Sequence, residues 1–123
     1  MDNIKSRNRI KGNQGEKIAR EYLEKLGYKI LAVNFRYSKF SEIDIVAKEK
    51  DTIVFVEVKM RSTKNCGHPF EAVTKKKLQN IYQTALYYLQ NTNEKYKNYR
   101  IDVLSVLGTY KPEIEHLKNI GLF

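Results

Sequence analysis

The sequence predicts an α/β fold in which a mixed sheet is flanked by helices, with elements in the order α-β-β-β-α-β. Three observations support this prediction. Apolar residues recur at helical spacing near the start of the chain and again after Thr74, three strand-like runs lie between these two segments, and a further strand-like run follows the second. Because helices and strands alternate along so short a chain, we expect both helices to pack on one sheet.

The first helix is predicted from Gly15 to Leu26, and Gly27 is a typical residue just beyond a helix end. Its apolar residues at helical offsets are Ile18, Ala19, Tyr22, Leu23 and Leu26. The preceding residues, Met1 to Asn13, are rich in Lys and Arg and poor in apolar side chains. We interpret them as a mobile basic arm before one domain of residues 14–123, and the arm either contacts phosphates or is simply a solvated terminus.

The next three elements are strands that we expect to form a meander. They span Tyr28 to Tyr37, Glu42 to Lys48, and Ile53 to Lys59, and the polar residues Glu49 to Thr52 form the turn between the last two. The run from Ile53 to Lys59 is the strongest strand signal in the chain because it is rich in β-branched residues.

A second helix is predicted after the polar loop that ends at Pro69, with Thr74 as its N-terminal cap. Its apolar stripe consists of Leu78, Ile81, Tyr82, Ala85, Tyr88 and Leu89. A fourth strand follows from Arg100 to Leu107, and Ile114 to Leu117 is predicted as a short edge strand.

The formal net charge of +9 on 123 residues favours anionic partners: nucleic acid, an acidic membrane surface or an acidic protein. No apolar run is long enough to span a bilayer, and the first residues lack the apolar segment of a signal peptide. A single cysteine, Cys66, excludes a disulfide scaffold. We therefore expect a cytoplasmic protein without a membrane partner.

Two carboxylates interrupt apolar strands, which is unusual in so basic a chain. Glu57 follows the apolar run of the third strand and shares a face with Lys59, while Asp44 stands between two isoleucines of the second strand. If Lys48 pairs with Ile53 across the turn, Asp44 lies opposite Glu57, with Cβ atoms about 5 Å apart. The alternative interpretation is an exposed salt bridge at a strand end, with Asp44 near a strand terminus.

Glu16 is a third candidate, since it lies on the same side of the first helix as Ala19 and Leu23. Its position in the first helical turn has a second explanation, because the helix dipole favours a negative charge there. If the three acids converge, Asp44 and Glu57 hold a divalent cation such as Mg²⁺ or Mn²⁺, and Glu16 completes the site. Lys59 then orients or deprotonates a water, as phosphodiester hydrolysis requires.

These motifs resemble the PD-(D/E)XK nuclease superfamily, which places an acid on one strand and (D/E)-X-K on the next, here EID at Glu42–Asp44 and EVK at Glu57–Lys59. The segment GEKIA from Gly15 resembles the first-helix glutamate motif of the Holliday-junction resolvase branch. Across nearly the whole chain the sequence is similar to the uncharacterised bacterial YraN-type family, through SEIDIVA, VFVEVKMR and RIDVLSV.

This resemblance implies a restriction-endonuclease-like core and a catalytic site at Glu16, Asp44, Glu57 and Lys59, with the three acids as metal ligands. It also implies a DNA substrate, by analogy a branched or junction DNA, and is compatible with a homodimer, because a junction has two strands to cut. Basic side chains that we expect to contact DNA are Arg36, Arg61, Lys64, Lys75, Lys76 and Lys77.

Two function classes follow from these observations. The first is a metal-dependent endonuclease that hydrolyses DNA, and the second is a non-catalytic module on the same fold that binds nucleic acid or protein. Clustered acids favour the first, because a module that only binds DNA has no need of them. An adaptor at a membrane surface rests on net charge alone, since the chain has no typical basic amphipathic helix.

Overall fold

The computed structural model describes residues 3–39, 41–61, 73–108 and 110–120, with side chains described from residue 14 onward. Within these residues a helix precedes three strands, and a second helix precedes two more. The strands form one five-stranded sheet in which spatial neighbours are also neighbours along the chain. The predicted α/β class, with a mixed sheet flanked by helices, is therefore confirmed.

Helix α1 (Asn3–Lys25) begins well before the predicted start at Gly15, so its backbone includes most of the predicted basic arm. The mobility of residues 1–13 and their contact with phosphates stay predictions. Close to the predicted start, α1 lies tightly on the sheet: a Cβ atom added at Gly15 would stand 2.7 Å from the Sδ atom of Met60. The absence of a side chain at Gly15 thus permits the close approach of helix and strand.

The end of α1 has the two hydrogen bonds of a Schellman motif around Gly27, which adopts a φ of +93°. The Gly27 N–H donates to the carbonyl of Glu24 and the Tyr28 N–H to that of Leu23, each at 3.0 Å. The helical spacing of Leu26 predicts that it packs on the sheet with Ala19 and Leu23, but at this helix end Leu26 is 53% exposed, so this prediction is wrong.

Three strands follow as the predicted antiparallel meander: β1 (Lys29–Ser38), β2 (Ser41–Glu49) and β3 (Thr52–Arg61). The predicted register between β2 and β3 is confirmed, because Lys48 pairs with Ile53 and Val46 with Phe55. The turn is tighter than expected, since the ladder continues to Thr52 and leaves only residues 50–51 outside it.

Helix α2 (Lys75–Asn91) connects β3 to the parallel strand β4 (Asn98–Leu107), and β5 (Glu113–Leu117) pairs antiparallel with β4. Thr74 is the N-terminal cap of α2, as predicted, because its hydroxyl oxygen accepts a hydrogen bond from the Lys77 N–H at 3.1 Å. The predicted polar loop from Ser62 to Pro69, including Cys66, lies outside the described residues.

Buried apolar side chains form one cluster on each face of the sheet. Leu23 of α1 packs with Val54 and Val56 of β3, whereas Ile81 of α2 packs with Phe55. Strand β3 therefore alternates between the two helices, and Glu57 continues the alternation onto the α2 face. Neither helix in the described part of the chain combines the length and the apolar character that crossing a bilayer requires.

Candidate active site

A cavity of about 370 Å³ lies between strand β2, strand β3 and the N-terminus of helix α2. The crossover between β3 and β4 brings the first turns of α2 over the sheet at this place, next to the buried end of β3. The cavity is lined by Lys39, Ser41, Glu42, Asp44, Glu57, Thr74, Lys76, Lys77, Asn80 and Ile81. Acidic groups from the sheet thus face basic groups from the helix.

Glu57 is buried although it is charged, with only 6% of its surface exposed. Its Oε1 atom lies 2.6 Å from the Nζ atom of Lys77 and 3.6 Å from the Nζ atom of Lys59. The two ammonium groups compensate the loss of hydration that a buried carboxylate suffers. Glu57 is therefore held between one cation of its own strand and one of helix α2.

Asp44 lies just beyond the last paired residues of the β2–β3 ladder, Ile45 and Val56, in the register predicted to place it opposite Glu57. Its Oδ2 atom accepts a hydrogen bond from the Val58 N–H at 2.8 Å, so the carboxyl group bridges from β2 to β3. Burial, reinforced by the negative charge of Glu57, raises the pKa of Asp44 to about 7. The electrostatic coupling agrees with the prediction that these acids lie close together.

The backbone is irregular where Asp44 stands. Ile43 packs in the cluster under α2 and Ile45 in the cluster under α1, although residues two apart on a regular strand share a face. On the neighbouring strand β1, Val33 pairs with Ile45 and Phe35 with Ile43, so Asn34, at φ +50°, lies opposite Asp44. Because of this irregularity, the Asp44 side chain does not follow the regular alternation between the two faces of β2.

The pKa values of the two lysines at the site are shifted in opposite directions. Burial lowers the pKa of Lys59, and the neighbouring ammonium of Lys77 lowers it further. For Lys77, burial also disfavours the charged form, but hydrogen bonding to Glu57 outweighs it and raises the pKa. Lys77 is thus the firmly charged partner of Glu57, whereas Lys59 releases its proton more easily than an ordinary lysine.

Glu16 lies next to a different set of groups. Its Oε2 atom accepts a hydrogen bond from the Asn34 side-chain amide at 2.9 Å, and its Oε1 atom lies 3.8 Å from the Nε atom of Arg20. Glu16 does not line the cavity that contains Asp44 and Glu57. The nearest link between them is Asn34, which stands opposite Asp44, so a direct metal-binding role for Glu16 stays a prediction.

The residues present fit a divalent cation. Two carboxylates line one cavity, and the negative charge of Glu57 raises the pKa of Asp44. Mg²⁺ is usually held by one or two carboxylates together with waters. Among the described side chains no group of three or more His, Cys, Asp or Glu gathers around one point. Asp44 and Glu57 are therefore the pair that would supply the protein ligands.

The predicted DNA-contacting cations occupy different environments. Arg36 is largely exposed and pairs with Glu42 at 3.1 Å, and the Nε atom of Arg61 donates to the Ser105 hydroxyl at 3.1 Å. Lys75 and Lys76 are exposed on the first turn of α2, whereas Lys77 points into the cavity. Lys64 lies outside the described residues.

Among the described residues a second buried carboxylate, besides Glu57, belongs to Asp102 of β4. Asp102 is fully buried and accepts hydrogen bonds from Arg100 Nε at 3.0 Å, from His116 Nε2 at 2.8 Å and from the Asn119 N–H at 2.9 Å. The alternation of Asp102 with Leu104 and Val106 on β4 predicts that it supports either Arg100 or Arg36, and the structure gives Arg100 as the partner. The contribution of His116 was not visible in the sequence, since it depends on the pairing of β4 with β5.

Comparison with known proteins identifies relatives over most of the chain. A relative from Sulfurihydrogenibium is 46% identical over 109 residues, covering 89% of this chain and 91% of its own. One from Caldicellulosiruptor saccharolyticus is 47% identical over 84% of this chain and 86% of its own, and one from Syntrophomonas wolfei is 42% identical over 91% and 97%. Each of the three is named as a UPF0102 protein.

The family model described as "Uncharacterised protein family UPF0102" matches residues 15–106. This range contains Asp44, Glu57, Lys59 and Lys77, and hence both strands and the helix that form the cavity. Together with the relatives, it shows that the chain belongs to the UPF0102 family, the YraN-type family that its motifs resemble.

Proposed function

We propose that this protein is a metal-dependent endonuclease that hydrolyses phosphodiester bonds of DNA on a PD-(D/E)XK-type core. The observation that carries the proposal is one cavity that Asp44, Glu57 and Lys77 line together, with the Nζ atom of Lys59 at 3.6 Å from Glu57. Two carboxylates suit a divalent cation, and two ammonium groups near the N-terminus of a helix suit a phosphate. The net charge of +9 supports an anionic polymer as the substrate.

A bound Mg²⁺ or Mn²⁺ would offset charge on the phosphate and lower the pKa of a coordinated water. Asp44 and Glu57 would hold that cation. Lys59, whose pKa is lowered, is the group best suited to accept a proton from the attacking water. Lys77 remains charged and stabilises the negative charge that develops on the phosphate oxygens.

The ion pair of Lys77 with Glu57 also favours a second candidate function. Because Glu57 already has a cation at 2.6 Å, the acidic group is neutralised by the protein itself. Such a site, in which Lys77 already balances the charge of Glu57, is consistent with a non-catalytic module that binds nucleic acid or protein on the same fold. The two functions differ in what divalent cations do to the protein.

The decisive experiment measures cleavage of labelled linear duplex, flapped and four-way-junction DNA, each with Mg²⁺, with Mn²⁺ and with EDTA. The parent protein is compared with Glu57→Gln, Asp44→Asn and Lys59→Ala. Glu24→Gln is the matched control, because Glu24 is an exposed acid of α1 away from the cavity. DNA binding by every variant is followed by fluorescence anisotropy in EDTA.

We expect the three site variants to lose at least about 100-fold of cation-dependent cleavage while they bind DNA as well as the parent. A preference for the junction would support the branched substrate that the family resemblance implies. The nuclease proposal fails if Glu57→Gln cuts as fast as the parent. If the parent neither cuts any substrate nor binds a divalent cation by calorimetry, the non-catalytic module is the correct function.

A further inference from the structure

The strongest feature outside the acidic site is a pair of exposed tyrosines, Tyr37 of β1 and Tyr87 of α2. Their ring centroids are 4.6 Å apart, with an angle of 31° between the ring planes. Tyr37 is nevertheless 52% exposed and Tyr87 40% exposed. Tyr87 also lies over Phe35, with centroids 6.1 Å apart. A strand and a helix thus hold two aromatic rings together at the surface, where their exposed parts are accessible to a partner.

Tyr37 of this pair lines a second cavity, of about 550 Å³, together with Ser38, Ser41, Lys76, Asn80 and Gln83. Three of these residues, Ser41, Lys76 and Asn80, also line the cavity that contains Asp44 and Glu57. The two cavities are therefore adjacent. The described lining of the second cavity contains hydroxyl, amide and ammonium groups and no carboxylate.

This combination matches the chemistry of an unpaired nucleotide. A nucleobase offers a flat π face that stacks on aromatic rings, its edge offers donors and acceptors for amides, and its phosphate is anionic. Exposed Lys76 supplies the charge complementary to that phosphate. Paired bases inside a duplex are already stacked on their neighbours, so only an unpaired base can lie on the tyrosines.

We propose that Tyr37 and Tyr87 form a stacking surface for unpaired bases of single-stranded DNA, and that the strand continues over Ser41 and Asn80 to the acidic site. This proposal rests on the proposed nuclease function and specifies its substrate as DNA with a single-stranded segment beside the cleaved bond. A DNA strand in this position runs along the residues that line both cavities.

The test measures binding of a labelled oligothymidine and of a duplex to the full chain by fluorescence anisotropy in EDTA, so that no cleavage takes place. Tyr37→Leu and Tyr87→Leu each replace an aromatic face by an apolar side chain, which in Tyr87→Leu still covers Phe35, and Tyr87→Phe keeps the aromatic face. Tyr96→Ala is the control, because Tyr96 is 39% exposed and lies outside both cavities. Thermal melting confirms that each variant is folded.

We expect each leucine variant to bind oligothymidine at least about fivefold more weakly, with duplex binding unchanged, and Tyr87→Phe and Tyr96→Ala to bind as the parent does. The proposal is overturned if the leucine variants bind oligothymidine as tightly as the parent, or if they change only the oligomeric state in gel filtration. Because binding is measured without metal, a failure of the nuclease proposal in the Glu57→Gln assay remains distinguishable from a failure of this one.

Discussion

The Nζ atom of Lys77 lies 2.6 Å from the Oε1 atom of Glu57, although the two residues belong to different elements, α2 and β3. The ammonium group therefore stands where a cation that binds Glu57 would have to approach. A divalent cation must displace Lys77 or share the carboxylate with it. This competition connects cation affinity to the residue that we assign to the phosphate.

We predict that Lys77→Met tightens Mn²⁺ binding at least about fivefold, because the lost charge-assisted hydrogen bond no longer competes with the metal. Isothermal calorimetry measures the affinity. Lys75→Met serves as the control, since Lys75 is exposed on the same helical turn and does not line the cavity. An equal or weaker affinity in Lys77→Met would contradict the competition.

The raised pKa of Asp44 makes stability depend on pH. Because the folded-state pKa of about 7 exceeds the usual value of 3.8, the stabilisation by protonated Asp44 is complete only below about pH 4 and is lost progressively as the pH rises to about 7. We predict that Asp44→Asn, which cannot ionise, gains over the parent across this range, so that its advantage in melting temperature is at least about 4 °C larger near pH 8 than near pH 5, in EDTA.

The control for this measurement is Asp51→Asn, in the exposed turn between β2 and β3. It makes the same chemical change away from the cavity, and its melting temperature should follow the parent at both pH values. A difference between Asp44→Asn and the parent that is the same at pH 5 and pH 8 would show that Asp44 does not titrate in this range.

Lys59 gives a prediction about proton transfer. Its pKa is lowered by burial and by Lys77, so it accepts a proton more readily than an exposed lysine. A guanidinium group stays protonated at any working pH. We therefore predict that Lys59→Arg keeps the positive charge but loses at least about 100-fold of cleavage rate, like Lys59→Ala. Near-parental cleavage by Lys59→Arg would instead assign Lys59 an electrostatic role.

Asp102 is predicted to stabilise the fold without affecting chemistry. Burial alone would raise the pKa of this carboxyl, but hydrogen bonds from His116, Asn119 and Arg100 outweigh burial and lower it. We expect Asp102→Asn to reduce the free energy of unfolding by about 3 kcal/mol near pH 7. Urea denaturation measures the loss.

The pH dependence of that loss follows from the lowered pKa. The contribution of ionised Asp102 is complete above the usual carboxyl pKa of 3.8 and is lost as the pH falls through the lower folded-state pKa. The gap between Asp102→Asn and the parent should therefore stay constant at neutral pH and narrow only in strong acid. A gap that already closes near pH 6 would contradict this account.

Local sequence patterns were sufficient to predict most of the fold. The alternation within β3 and the turn after Glu49 predict the register that brings Asp44 towards Glu57, because both depend on residues close together in sequence. The cap at Thr74 is equally local. The start of α1 at Asn3 was missed, because its first residues lack the apolar spacing on which the prediction relied.

The parts of the site that depend on long-range contacts could not be predicted in the same way. The sequence indicates three lysines at the start of α2, but only the packing of α2 on the sheet selects Lys77 as the partner of Glu57. The contact of Glu16 with Arg20 follows helical spacing, but its hydrogen bond from Asn34 joins α1 to β1, which no spacing pattern reveals. The tyrosine pair likewise joins residues of β1 and α2 that lie far apart in sequence.

The irregular backbone of β1 has a consequence for aggregation. This strand is one edge of the sheet, and its ladder with β2 shifts between Ile30 and Ala32 and again between Arg36 and Ser38, with Asn34 in a left-handed conformation between the shifts. A straight, regular edge is a template on which strands of other molecules can pair. The irregular edge of β1 is a poor template for such pairing. The same irregularity that lies opposite Asp44 therefore also disfavours the growth of intermolecular sheets.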